Sequence, residues 1–337
     1  MGSWDVSRAE GAEDEDEAGP TQVRAPDFGP FALPDERSGS DAPAAGASLP
    51  PESLLIIGPG TVFAGRYRIR HKIARGGMST VWEALDERID RVVALKLMSP
   101  HLADEADYCA RFEQEAKAAA RLASAHVVSL YDYGLHQGLP FMVLERLTGE
   151  DLFRRTRRVG ALGLDEAARI IEQAGAALHA AHRAGIVHRD VKPHNLFLAE
   201  QDGEEVVKLL DFGVAKHAGT AALRTKTGLM VGSPYFMSPE QVRGGRDVDA
   251  RSDLFSLAAV ASLCLTGTTP FGGAMPAVFL AILDGRPRPA SSLRPELGEA
   301  VDAFFRRGLA VAPGARFATA VELASSLREA LDMRARR

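Results

Sequence analysis

Residues 186–213 read IVHRDVKPHNLFLAEQDGEEVVKLLDFG, and acidic, amide and basic groups recur in them at spacings that chemistry can use. The runs LFLA and VVKLL flank EQDGEE, a turn containing Gly203, so the stretch predicts a β-hairpin. Folding it near Asp202–Gly203 makes paired positions sum to about 405. Asn195 then lies opposite residue 210, and Asp211 emerges at the same open end. An amide oxygen and a carboxylate converge there. Such donors suit Mg²⁺, which keeps waters and substrate phosphates as its other ligands. Asp190 and Lys192, two residues apart just before that end, face the same way in an extended loop. A carboxylate, a cation and a metal site in one place make a constellation for phosphoryl transfer.

These residues need a frame to hold them. YRIRHKI from Tyr67 and RVVALKLM from Arg91 are short, β-branched runs that predict strands. ADYCARFEQEAKAAARLAS is rich in Ala, Glu and Lys at helical spacing, and VVSLYDYG and PFMVLERL return to strand. The result is a β-rich unit with one major helix over about residues 65–145. From residue 148 to about 330 the chain is mainly helical. LDEAARIIEQAGAALHAAHRAG ends at Gly185, a C-cap residue, and DLFSLAAVASLCLTG is apolar nearly all round, as a buried helix is. The expected fold is α+β and two-lobed, with a cleft between the lobes. In VALK, Ala94 and Lys96 share one strand face. IARGGMSTVWEA (73–84) sets Gly76 and Gly77 between an apolar start and another strand-like run. Two readings fit it: a hairpin tip that needs positive φ, or a loop whose main chain approaches a phosphate.

Charge is unevenly spread. The first 50 residues hold 11 acidic and 3 basic side chains, and the remaining chain carries a net +3 within a total of −5. Residues 1–60, acidic and rich in Pro, Gly and Ser, cannot bury enough apolar surface to offset ordering entropy and are expected to be a disordered tail. The nearly neutral remainder argues against a nucleic-acid partner. Two cysteines, Cys109 and Cys264, make neither a disulfide framework nor a zinc site. No run reaches ~18 apolar residues, so no membrane span is expected, and the chain reads as cytoplasmic.

HRDVKPHN, DFG (211–213) and SPE (238–240) resemble the signature set of eukaryotic-type protein kinases. GGMS, DFGVAK and SPEQ are most similar to the bacterial serine/threonine kinases of that type. The resemblance covers about residues 65–330 and implies the two-lobed protein kinase fold, with ATP and Mg²⁺ bound between the lobes. It implies that Asp190 is the catalytic base, that Lys192 neutralises the γ-phosphate, and that Asn195 and Asp211 hold the metal. Lys96 would bind the α- and β-phosphates with Glu115 as counter-ion, Glu113 being the alternative. Gly76, Gly77, Met78 and Ser79 would form the phosphate loop, Ala74 and Ser79 standing where the family has glycine. Ile73, Val81 and Ala94 would enclose the adenine, Leu144 would be the gatekeeper, and the backbone of Glu145 and Leu147 would hydrogen-bond the base.

In the segment 211–240, Thr225 and Thr227 stand where related kinases autophosphorylate, with Arg189 placed to pair with a phosphothreonine. Glu240 and Arg316 resemble the family's buried ion pair, and Asp253 the residue that holds the catalytic loop. Lys192 and Ser233 imply protein substrates with Ser or Thr acceptors. The resemblance also implies dimerisation through the β-rich lobe. Its alternative is a pseudokinase that binds nucleotide as a scaffold.

Overall fold

The computed structural model describes residues 57–212, 234–245, 248–273 and 275–335. A six-stranded antiparallel sheet, in the order β1-β2-β3-β4-β6-β5, forms the first lobe. Its strands are β1 (Val62–Phe63), β2 (Tyr67–Arg75), β3 (Ser79–Asp86), β4 (Arg91–Met98), β5 (Leu130–His136) and β6 (Leu139–Glu145). Helix α1 (Ala106–Ala120) lies between β4 and β5 in the chain and buries Phe112 and Ala116 in the same core as Tyr67, Leu95 and Met142. The sheet starts earlier than the expected residue 65. β1 is too short to show a period, yet Phe63 is buried and packs edge-on against Phe141 at 5.3 Å.

The second lobe is helical. It contains α2 (Leu152–Val159), α3 (Leu164–Arg183), α4 (Pro239–Val242), α5 (Ala250–Thr266), α6 (Met275–Asp284), α7 (Gly298–Gly308) and α8 (Ala320–Ala335). α3 buries Ile170, Ile171, Ala174, Ala177, Leu178 and Ala181 at three- and four-residue spacing. It ends as its sequence predicts, because Gly185 takes φ +73°, a conformation that costs a residue without a Cβ little. α5 is buried on almost every side, Leu254 to Leu265 forming the centre of the lobe's core.

A small second sheet, β7 (Gly149–Asp151), β8 (Leu196–Gln201) and β9 (Glu204–Leu209), lies where the lobes meet. β8 and β9 pair from Leu196 with Leu209 to Gln201 with Glu204, the register expected from the sequence. Asp202 and Gly203 take φ of +51° and +83°, the positive values that a tight two-residue turn requires. Among the described residues, no helix is long and apolar enough to cross a membrane.

Candidate active site

The hairpin places its open end as anticipated. The Leu210 N–H donates to the Asn195 carbonyl at 2.8 Å, and Asp211 follows directly. The Asn195 Nδ2 donates to the Asp190 carbonyl (2.9 Å) and to Asp190 Oδ2 (3.3 Å). Lys192 Nζ donates to the same Oδ2 at 2.8 Å. With its amide nitrogen turned to Asp190, Asn195 has its oxygen to offer a hard cation, beside the Asp211 carboxylate. This donor set fits Mg²⁺.

The loop that carries Asp190 is held from below. Asp253, fully buried at the start of α5, accepts the backbone N–H groups of His188 (2.8 Å) and Arg189 (2.7 Å) and contacts His182 Nε2 at 2.7 Å. These bonds keep Arg189 at φ +66°, and Asp211 stands at φ +43°. Both are non-glycine residues in the left-handed region, a conformation that persists only where its surroundings over-determine it. The ring of His188 joins the two loops, accepting the Asp190 N–H at 3.2 Å and contacting the Leu210 carbonyl at 2.9 Å. Among the described residues, the buried Arg189 Nε has no hydrogen-bond partner.

Lys96 is buried on β4, and its Nζ lies 2.6 Å from Glu115 Oε1 and 2.8 Å from Asp211 Oδ1. One strand, one helix and one loop from the other lobe meet at this ammonium. Desolvation opposes its charge, but Asp211 and then Glu115 lift its pKa above the ordinary lysine value. Burial pushes the Glu115 carboxyl up to about 7 despite Lys96. Against the cost of desolvation, Lys96 holds Asp211 below the usual carboxylate range. Two carboxylates thus share one cation, and Asp211 lines the cavity beside it. Glu113 points elsewhere and pairs with Lys117 at 2.6 Å on the exposed side of α1.

Gly76, Gly77, Met78 and Ser79 line a cavity of about 250 Å³ together with Lys96, Glu115, Asp190, Lys192, Asn195 and Asp211. The glycine turn closes with a bond from the Gly76 N–H to the Ser79 carbonyl at 2.8 Å. Neither glycine has positive φ, and a Cβ would meet only Ser79 O at 3.5 Å from Gly76 and nothing within 4 Å from Gly77. The hairpin-tip expectation therefore gives no reason for these glycines. Access of another molecule to the main chain does. Gly76→Ala is expected to leave the melting temperature of the free protein unchanged or slightly raised and to raise the KM for ATP about tenfold. Thermal unfolding without nucleotide and ATP titration check the two halves separately.

The remaining predicted residues lie outside this cavity. Val81 pairs with Ala74 on one side and Lys96 on the other, and Ile73 sits at a register shift between Lys72 and Ala74. Ala94 stands opposite Leu144, so the small residue and the proposed gatekeeper are cross-strand neighbours. The Leu147 N–H makes no hydrogen bond among the described residues. Thr225, Thr227, Ser233 and Gly213 lie outside the described residues.

Sequence reasoning used only the main chain of Glu145. Its side chain accepts from buried Lys208 (2.9 Å), Gln201 (3.0 Å) and the Ser129 N–H (3.1 Å), while Arg146 beside it reaches back to Glu83 at 2.8 Å. The connection between the lobes is thus fastened in both directions. A lysine inside the run VVKLL was the available signal, since a charge that deep in a strand needs a partner.

Comparison with known proteins agrees with this geometry. The protein kinase domain family matches residues 67–324. Serine/threonine-protein kinase PknE of Mycobacterium bovis is 40% identical over 273 residues, which cover 81% of this chain and 47% of that protein. PknD of Mycobacterium tuberculosis is 39% identical over 270 residues, 79% of this chain and 40% of that one. The chain thus spans about half the length of the relatives it matches, or less. The crystal structure of the Mycobacterium tuberculosis PknI kinase domain superposes with a TM-score of 0.64 at 28% identity, over 81% of this chain and 99% of that one. The convergence of strand, helix and hairpin on one polar cavity and the match over most of the described residues lead to one assignment: the chain belongs to the protein kinase family.

Proposed function

We propose that the chain is an active serine/threonine kinase that transfers the γ-phosphoryl group of ATP to protein hydroxyls in the cytoplasm, where ATP is made. The observation that carries this reading is Lys96 lying between Glu115 and Asp211, from three elements distant in sequence. A buried lysine with two carboxylates is electrically over-supplied unless further positive charge arrives. Mg²⁺ on Asp211 and Asn195 would bring it, neutralising charge on the phosphates. Lys96 would then hold the α- and β-phosphates, and the amides of residues 76–79 would surround the oxygens beyond them.

Asp190 is positioned to orient the acceptor hydroxyl and take its proton. Lys192, 2.8 Å from that carboxylate, would meet the γ-phosphate and offset its charge. Glu145 and Leu147 would bind adenine through the main chain, with Ile73, Ala74, Val81 and Ala94 around the base. Phosphorylation of Thr225 and Thr227 is part of the proposal. Its support is that the buried Arg189 Nε, one residue from Asp190, has no hydrogen-bond partner among the described residues.

Incubation with labelled ATP, Mg²⁺ and a generic protein substrate tests the reading. Label on Ser and Thr side chains is expected, with Thr225 or Thr227 among the sites mapped by mass spectrometry. ATP binding without transfer to any protein would overturn it in favour of a scaffold.

A further inference from the structure

A strip of surface beside the reaction centre carries groups that phosphoryl transfer does not use. It starts just past Lys192, where Pro193–Asn195 form a single 3₁₀ turn that leaves His194 exposed. The His194 ring stacks on Phe153 of α2 with centroids 4.0 Å apart and planes 20° apart. One helical turn further along α2, the Arg157 guanidinium carbon lies 6.0 Å from the Phe153 centroid. α2 packs on the lobe through Leu152 and Thr156, so Phe153 and Arg157, each one position later, share its outward side. An aromatic pair left in water next to a catalytic loop is not there to fill the core.

The charges of α2 single out one residue. Arg154 pairs with Asp151, which also accepts the Arg154 N–H as the helix cap. Arg155 binds Glu150, Glu166 and Glu205, and Arg158 also binds Glu150. Arg157 has no carboxylate partner among the described residues. From His194 across Phe153 to Arg157 is on the order of three residues of extended chain.

We propose that this strip is the subsite for residues flanking the acceptor, and that it selects peptides with an acidic side chain a few residues from the Ser or Thr. The flanking chain lies across the His194–Phe153 stack, and its carboxylate reaches Arg157. The inference rests on the kinase reading above and specifies the substrate class for that site. Recognition is by charge at an exposed guanidinium, so it weakens as salt rises.

The test uses the purified chain and threonine peptides that carry Ala, Glu or Lys at each position two to four residues from the acceptor, on either side. At one of these positions the wild type is expected to show kcat/KM about tenfold higher for Glu than for Lys, attraction and repulsion adding. Arg157→Glu should invert that ratio at the same position, and the ratio rather than the absolute rate is the readout. Arg157 is exposed, so the substitution leaves the core alone. An unchanged ratio in Arg157→Glu, or no charge preference in a wild type that phosphorylates the alanine peptide, overturns the inference and leaves the kinase reading standing. A wild type that labels a protein substrate or itself but none of the peptides overturns the inference alone, and one that transfers phosphate to no protein and no peptide overturns both.

Discussion

Asp190→Asn is expected to lower the rate of phosphate transfer by a factor of about 10² to 10⁴ while leaving ATP binding within about twofold of the wild type. Asparagine keeps the shape of the side chain and its oxygen can still accept from Lys192, which lies 2.8 Å from the carboxylate. What it loses is the negative charge and the capacity to take a proton. The loop itself should not move, because its backbone is held by Asp253 and not by Asp190. An interaction that exists only as the acceptor hydroxyl reacts lowers kcat and kcat/KM together, whereas a collapsed site would raise KM for ATP as well. Steady-state kinetics with a peptide acceptor, beside an ATP titration of the same variant, separate the two. A variant that retains a third of the wild-type kcat would show that another group handles the proton.

How much of this site is legible in the sequence depends on how local its causes are. The β8–β9 register was readable because Asp202–Gly203 fixes the turn, and a hairpin with a fixed turn has no freedom left to slip. Once the register is set, Asn195 and Asp211 must share an end. The partner of Lys96 was less readable. Glu113 and Glu115 are two residues apart on one helix, and choosing between them depends on how α1 rotates against the sheet. Burial of Phe112 and Ala116 turns Glu115 inward and leaves Glu113 for Lys117. Of the anchors of the inter-lobe connection only the need was readable, since Lys208 inside VVKLL requires a partner. Lys208 and Glu145 are 63 residues apart, and nothing in the period of either strand indicates that they meet. The register shift beside Ile73 is of the same kind, since an extra residue in one strand depends on the neighbouring strand.

Glu240→Gln should destabilise the protein by about 3–5 kcal/mol, the usual cost of removing one partner from a buried ion pair. Arg316, whose side chain has no exposed surface, donates to both Glu240 oxygens at 2.7 and 2.8 Å. Its other bonds go to the carbonyls of Arg251, Ala310 and Val311, so it has no second anion to turn to. Glutamine preserves the shape and leaves the guanidinium uncompensated. Burial works against the Glu240 charge, but the Arg316 guanidinium more than offsets it and holds the carboxyl at about 2, against an ordinary 4.5. A depressed carboxyl stabilises the fold above its unfolded pKa, and that contribution is lost as pH falls from about 4.5 towards 2. Urea unfolding should therefore show the largest gap between wild type and Glu240→Gln near pH 7, with the two curves converging only as pH falls to ~2 and below. An equal gap at both pH values would mean that the variant acts through packing and not through charge. The effect should reach the chemistry too. Gln241, next to Glu240, donates to the Arg189 carbonyl at 2.8 Å, and Arg251 O, which Arg316 holds, lies two residues before Asp253. One end of α5 thus carries both the anchor of the segment around Glu240 and the anchor of the catalytic loop. Loosening the first should lower kcat in a variant that is still folded at the assay temperature.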